Sequence, residues 1–234
     1  MESCALKEPV SDIDPAANLA AIRDELNKAL EEASRPIDTV TINAVSKGHD
    51  GARIRPALEA GHRIYGENRV QEAMAKWPGL REEFADVELR LIGPLQTNKA
   101  KEAVAFFDVI ETVDRPKIAK ALAKEMDAQD RRPPVLIQIN TGEEPQKGGV
   151  IPREAPAFIK ACTGDYHLPV AGLMCIPPID DAVAPHFALL RKMADAHDLK
   201  VCSMGMSGDY IAAAKLGATI VRIGSGVFGP RPAN

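Results

Sequence analysis

Lys47 is the residue whose type and position most directly suggest chemistry. It follows residues 40–45, a short apolar run typical of a buried strand, and it precedes Gly48, which allows a turn. Lys47 is therefore predicted at the carboxyl end of a strand, the edge at which α/β proteins bind ligands. Its amine is either a solvated charge or, in the neutral form with a lowered pKa, a nucleophile toward a carbonyl. Position alone favours the solvated alternative.

A glycine-rich stretch near the end of the sequence suggests a phosphate site. Gly224, Gly226 and Gly229 have the G-x-G-x-x-G spacing of dinucleotide-binding loops. Too few residues follow for the helix, strand and acidic residue that a dinucleotide fold requires, so that interpretation fails. The turn, which carries Ser225, is better suited to hold a phosphate through backbone N–H groups and a hydroxyl.

A second small loop strengthens the phosphate hypothesis. Residues 203–208 follow an apolar run and include Ser207. In eightfold barrels the loops after the last two strands commonly form the phosphate site. The two loops therefore predict a shared anion site, and the alternative is that both are only tight turns.

Arg222 interrupts the apolar run at residues 218–223. Burying a guanidinium without a partner costs free energy, so Arg222 is predicted to meet an acid, a ligand or water. A structural ion pair is the alternative to a ligand. A nucleophilic lysine, a phosphate site and an adjacent arginine together match pyridoxal 5′-phosphate (PLP), which needs a Schiff-base lysine, an anion site and a partner for its ring nitrogen.

Alternating patterns show which elements position these residues. Asp14 and Pro15 begin a helical pattern that runs to about residue 34, with Asp14 as the N-cap. From residue 40 onward, short apolar runs alternate with helical stretches, one of which is predicted from Glu67 to about Trp77. The strand-like runs begin at residues 40, 63, 88, 107, 135, 170, 200 and 218.

Eight β-α units predict an α/β protein with a single (β/α)8 TIM barrel, a fold of typically ~250 residues. A doubly wound open sheet would give the same alternation with fewer strands. The predicted organisation is one domain over residues 1–234, with a leading segment and extra helix at 1–36 and the barrel at 37–229.

Composition narrows the function classes. The 234 residues carry a formal net charge of −4, with acids and bases interspersed, so neither a nucleic-acid nor a membrane partner is expected. No apolar stretch approaches ~18 residues, and no secretory signal begins the chain. The histidines have no metal-ligand spacing, so no metal is expected. The four cysteines are Cys4, Cys162, Cys175 and Cys202. They contain no C-x-x-C pair, which predicts a reduced, cytoplasmic protein.

Six short motifs lie at residues 44–47, 66–68, 92–99, 172–174, 203–207 and 221–224. With these motifs in this order, the sequence resembles the pyridoxal phosphate homeostasis proteins from about residue 40 to residue 229. The resemblance implies a barrel like the amino-terminal domain of alanine racemase. It implies that Lys47 carries PLP as a Schiff base and that Arg222 faces the ring nitrogen. It also implies that Ser207, Gly224 and Ser225 hold the phosphate, with Asn68 and Met204 among the cofactor contacts.

The resemblance implies a non-catalytic role: to bind and buffer PLP and deliver it to PLP-dependent apoenzymes. Alanine racemase takes a second acid/base, a tyrosine, from an additional domain of its partner subunit. Tyr65, Tyr166 and Tyr210 do not obviously replace that group, so neither enzymatic activity nor a racemase-like dimer is expected, and a monomer is predicted. The alternatives are a PLP-dependent amino-acid racemase and a class I aldolase-like enzyme in which Lys47 would react with a phosphorylated sugar.

Overall fold

Eight parallel strands form a closed barrel in the computed structural model, which describes residues 13–231. Each strand pairs with the next along the chain, and β8 pairs with β1 through the register Asn43↔Arg222, which closes the barrel. The predicted TIM barrel is confirmed. The strands are β1 Thr41–Val45, β2 Ile64–Glu67, β3 Glu88–Leu91, β4 Val109–Val113, β5 Val135–Ile139, β6 Val170–Cys175, β7 Val201–Ser203 and β8 Ile220–Ile223.

Helices cover the outside of the barrel. The predicted leading helix is present, and the Asp14 carboxylate caps it by accepting hydrogen bonds from the backbone N–H groups of Ala16 and Ala17. The helices are α1 Pro15–Glu32, α2 Gly51–Glu59, α3 Val70–Glu83, α4 Ala100–Phe106, α5 Pro116–Gln129, α6 Ala155–Lys160, α7 Val183–Ala196, α8 Tyr210–Lys215 and α9 Ser225–Phe228. No helix within residues 13–231 is both long and apolar enough to cross a membrane.

The boundaries of α3 differ from those predicted. Glu67 belongs to β2, where it pairs with Leu91, and the helix begins only at Val70. Helix α3 also continues past Trp77 to Glu83, although it contains Pro78. Buried Trp77 and Leu80 anchor the helix on both sides of Pro78, and this packing outweighs the backbone hydrogen bond that proline cannot donate.

The barrel separates an apolar shell from a partly polar interior. Alternate strand residues face opposite sides of the wall, and the outward set packs with the helices in one large hydrophobic cluster. Buried polar side chains interrupt the other set, which leads up to the carboxyl ends of the strands. These buried inward residues are Asn43, Glu111, Ser203 and Arg222, and the partly buried Arg90 pairs with Glu111.

Candidate functional site

A half-open cavity of about 250 Å³ lies at the carboxyl ends of the strands. It brings together residues from the two ends of the chain because β1 and β8 are neighbours in the closed barrel. Six of the seven site residues predicted from the sequence line it. The lining residues are Val45, Lys47, His49, Asn68, Ile92, Ile176, Met206, Ser207, Arg222, Gly224, Ser225, Gly229 and Arg231.

Met204 is the predicted site residue that does not line the cavity. Its side chain is fully buried in the hydrophobic cluster on the helix side, and its backbone N–H donates to the carbonyl of Ile220 at 3.1 Å. The chain then turns at Gly205, whose φ of +93° suits glycine. Met206, which is 38% exposed, is the methionine that reaches the cavity. The described cavity lining therefore does not include Met204, which the sequence predicted as a cofactor contact.

Lys47 lies two residues beyond β1 and is partly buried rather than fully solvated. Burial lowers its pKa from the ordinary value, and the guanidinium groups of Arg231 and Arg222 lower it further, whereas Glu72 and Glu67 act in the opposite direction. A larger share of neutral amine is therefore present near neutral pH than for a solvated lysine. This environment favours the nucleophilic alternative for Lys47.

Two serine loops form the opposite part of the cavity wall. The hydroxyl oxygens of Ser207 and Ser225 lie 3.4 Å apart, although the residues follow different strands, β7 and β8. Gly224 precedes Ser225, and its lack of a side chain keeps the wall open beside the carbonyl of Val45. Two hydroxyls and adjacent backbone N–H groups suit an anionic group such as a phosphate.

Arg222 is nearly buried, with 4% of its surface exposed. Its guanidinium donates to the Ser203 hydroxyl at 2.7 Å and to the Cys175 carbonyl at 2.8 Å. The Ser203 hydroxyl in turn donates to Glu111, a carboxylate that pairs with Arg90 at 3.0 Å. Within residues 13–231, Arg222 forms no direct ion pair, so the simple ion-pair alternative is not what holds it. The interior network fixes the guanidinium while part of it faces the cavity.

Sequence reasoning missed several residues of the cavity, among them His49 and Arg231. Burial lowers the pKa of His49, with a smaller contribution from nearby Arg53, and its ring lies 5.4 Å from the ring of Phe228. His49 lies only two residues after Lys47, and this short distance along the chain could have indicated that it lines the same cavity. Arg231 lies beyond the last strand and reaches the cavity across Gly48, a contact that no local pattern encodes.

The three tyrosines lie outside the cavity lining. The Tyr65 hydroxyl donates to the carbonyl of His62 at 3.3 Å, and the Tyr210 hydroxyl donates to Glu25. None of the tyrosines belongs to the cavity lining, where His49 is the lining residue that ordinarily titrates near neutral pH. The described part of the chain also contains no cluster of His, Cys, Asp and Glu suited to a metal ion.

Comparisons with known proteins identify the family and the fold. A family model described as the alanine racemase N-terminal domain matches residues 17–232, which confirms the expected type of barrel. A pyridoxal phosphate homeostasis protein from Pasteurella multocida is 36% identical over 224 residues, which span 92% of this chain and 96% of that protein.

Solved structures show the same similarity. PipY of Synechococcus elongatus PCC7942 with PLP bound has a TM-score of 0.78 and 33% identity, and the match covers 92% of this chain and all of that chain. An alanine racemase from Clostridium difficile 630 is similar in fold, with a TM-score of 0.71 at 16% identity, over 94% of this chain and 57% of the racemase.

Proposed function

The chain belongs to the family of pyridoxal phosphate homeostasis proteins, and on that premise we propose that it binds PLP covalently, buffers it and delivers it. One observation carries this proposal: a partly buried lysine with a lowered pKa shares a small cavity with two serine hydroxyls and a fixed arginine. The PLP bound to PipY, a relative similar over nearly the whole chain, supports the same ligand.

The residues present fit PLP. A cavity of about 250 Å³ is near the lower end of ligand pockets, typically ~300–1,000 Å³, and suits one small aromatic molecule rather than a dinucleotide. In this assignment Lys47 binds the aldehyde carbon and Arg222 faces the ring nitrogen. Asn68 contributes to the wall beside the ring. The phosphate is held by Ser207, Gly224 and Ser225, whereas Met204 is left out because it faces the hydrophobic cluster.

Lys47 and Arg222 have distinct tasks in this arrangement. When bound, PLP supplies an aldehyde that condenses with a neutral amine and a ring that can accept electrons. Burial near Arg222 and Arg231 keeps part of Lys47 neutral, which its attack on a carbonyl requires. A guanidinium can donate hydrogen bonds but not accept them, so a ring nitrogen that faces Arg222 would remain unprotonated. An unprotonated ring is a weak electron acceptor, which favours holding the cofactor over transforming amino acids.

Racemisation would need a second proton-transfer group opposite Lys47. No tyrosine lines the described cavity, and His49 lies only two residues from Lys47 on the same loop. We therefore propose a carrier rather than a racemase. The aldolase alternative is less well supported because PipY, a relative similar over nearly the whole chain, has PLP rather than a sugar phosphate bound.

The proposed carrier role has consequences for the partners, the location and the oligomeric state of the protein. We propose that PLP-dependent apoenzymes receive the cofactor and that the protein acts as a cytoplasmic monomer whose residues 1–234 form one domain. Free, buried thiols at Cys162, Cys175 and Cys202 support a reducing compartment, whereas Cys4 lies outside the described residues. Size-exclusion chromatography with light scattering tests the monomer, and reactivation of an apoenzyme by the loaded protein tests delivery.

A spectroscopic titration tests PLP binding. Addition of PLP to the purified protein should produce a visible absorption band that Lys47→Ala abolishes. Lys124→Ala is the matched control because Lys124 is an exposed lysine on α5, and this variant should keep the band. An unchanged band in Lys47→Ala would contradict the proposed attachment, and a band that requires a sugar phosphate instead of PLP would favour the aldolase alternative.

A further inference from the structure

The loop that carries Lys47 is held from the outer side of the barrel. Lys76, on α3, is 9% exposed, and its ammonium donates to the carbonyl of Ser46 at 2.8 Å and to the carbonyl of His49 at 2.9 Å. These carbonyls flank the turn made by Lys47 and Gly48. A single buried charge therefore bridges the beginning and the end of the loop.

Two carboxylates complete the contacts. Glu67 is fully buried, accepts a hydrogen bond from the Ser46 hydroxyl at 2.6 Å and pairs with Lys76 at 2.7 Å. Glu72 accepts a hydrogen bond from the Gly48 backbone N–H at 2.5 Å and also lies 3.5 Å from the Lys76 ammonium. Polar groups on both sides of Lys47 are thus fixed by side chains that do not line the cavity.

We propose that Lys76, Glu67 and Glu72 are positioning residues that hold the Lys47 loop and set how readily its amine binds PLP. The inference rests on the proposed function. We call these three side chains the loop clamp.

Stability alone does not explain the loop clamp. Burying an ion pair costs desolvation energy, and an apolar replacement of similar volume is often as stable or more stable. Here one oxygen of Glu67 is buried without a hydrogen-bond partner among the described residues, which adds to the cost. All of these contacts are to the loop that carries Lys47. We therefore infer that their benefit is to hold this loop, and with it the Lys47 amine, in one conformation.

The charges of the loop clamp also affect the pKa of the Lys47 amine. Burial lowers the Lys47 pKa, Arg231 beyond α9 and Arg222 from β8 lower it further, and Glu72 and Glu67 raise it. His49, on the same loop, also lines the cavity. The Lys76 ammonium offsets the two carboxylates, so removing Lys76 and removing a carboxylate should move the Lys47 pKa in opposite directions.

Two variants separate positioning from simple loosening. Lys76→Met leaves both carboxylates without their counter-charge and frees the loop, which should raise the Lys47 pKa and reduce its neutral fraction about threefold near neutral pH. Glu72→Gln keeps an oxygen that can accept from Gly48 but removes a negative charge, so the Lys47 pKa should fall. A purely structural role would not give opposite signs.

The assay is a pH titration of Lys47 by ¹³C NMR after reductive methylation of the cofactor-free protein, with the resonance identified by its loss in Lys47→Ala. The apparent association constant for covalent PLP at neutral pH is measured in parallel and should fall about threefold in Lys76→Met, in step with the neutral fraction. Lys99→Met is the control because it breaks a partly exposed lysine–glutamate pair, with Glu102, elsewhere on the barrel.

Equal or same-sign changes in the Lys47 pKa of folded variants would overturn the inference. If Lys76→Met does not fold, Glu72→Gln still decides, because Glu72 is partly exposed and its replacement keeps size and acceptor capacity; an unchanged Lys47 pKa in that variant would refute the loop clamp. Absence of covalent PLP in the unmodified protein would instead refute the proposed function, and the titration would still test positioning.

Discussion

Ser203→Ala tests whether the barrel interior fixes Arg222. Ser203 is fully buried, and its hydroxyl links two charged groups: it accepts from Arg222 at 2.7 Å and donates to Glu111. The substitution removes both hydrogen bonds without removing a charge. Arg222 keeps its bond to the Cys175 carbonyl, and Glu111 keeps its pair with Arg90.

The expected cost follows from those contacts. A buried hydrogen bond to a charged group contributes about 1.5–3 kcal/mol, so two independent bonds would contribute about 3–6 kcal/mol. Because both bonds share one hydroxyl and both charged groups keep another partner, we expect a loss near the lower end, about 3 kcal/mol. For a chain of this size that loss corresponds to a fall in Tm of about 6–12 °C.

Thermal unfolding of the cofactor-free protein measures the loss, with Ser225→Ala as the matched control. Ser225 is exposed, so its substitution should change the unfolding free energy by less than about 0.5 kcal/mol while weakening PLP binding. Ser203→Ala should weaken PLP binding too, through a less firmly held Arg222. A Ser203→Ala protein as stable as the unmodified chain would refute the role assigned to the interior network.

Further predictions concern the amine, the turn and the reaction. Covalent attachment of PLP should increase with pH and reach half its maximum below the ordinary lysine pKa of about 10.4, because burial and two arginines favour the neutral Lys47; a midpoint at or above that value in a spectroscopic titration would contradict this environment. Gly48→Ala should destabilise the protein by about 1–3 kcal/mol in denaturant unfolding, because the φ of Gly48 is +74° and a Cβ would lie 3.0 Å from Arg231 Cδ; equal stability would show that the turn adapts. The loaded protein should racemise single-enantiomer alanine no faster than free PLP, and His49→Asn should not change that result in chiral chromatography; a rate clearly above free PLP that His49→Asn removes would identify a racemase.

Local patterns were sufficient to predict which polar residues meet in the cavity at the ends of β1 and β8. Lys47 and Arg222 were both recognisable because each breaks or ends an apolar run, and strand ends meet at one rim in a parallel barrel. Ser207 and Ser225 followed from the same rule, although the glycine-rich turn proved to contain the short helix α9.

Contacts between distant parts of the chain were not predictable in this way. Glu67 looked like the start of a helix because its partners, Ser46 and Trp77, lie on other elements that bury it in β2. Met204 and Met206 are the same residue type on either side of Gly205. Only the turn at Gly205 decides which of the two side chains reaches the cavity. In the sequence Lys76 looks like an ordinary surface charge on a helix. Its contacts with the Lys47 loop are visible only in the folded structure.

The central claim is a covalent bond between the Lys47 amine and PLP, and peptide mapping tests it most directly. The PLP-loaded protein is reduced with borohydride, digested and analysed by mass spectrometry. The added mass of reduced PLP should be found on the peptide that contains Lys47. Modification confined to another lysine, or no stable modification at all, would contradict the account.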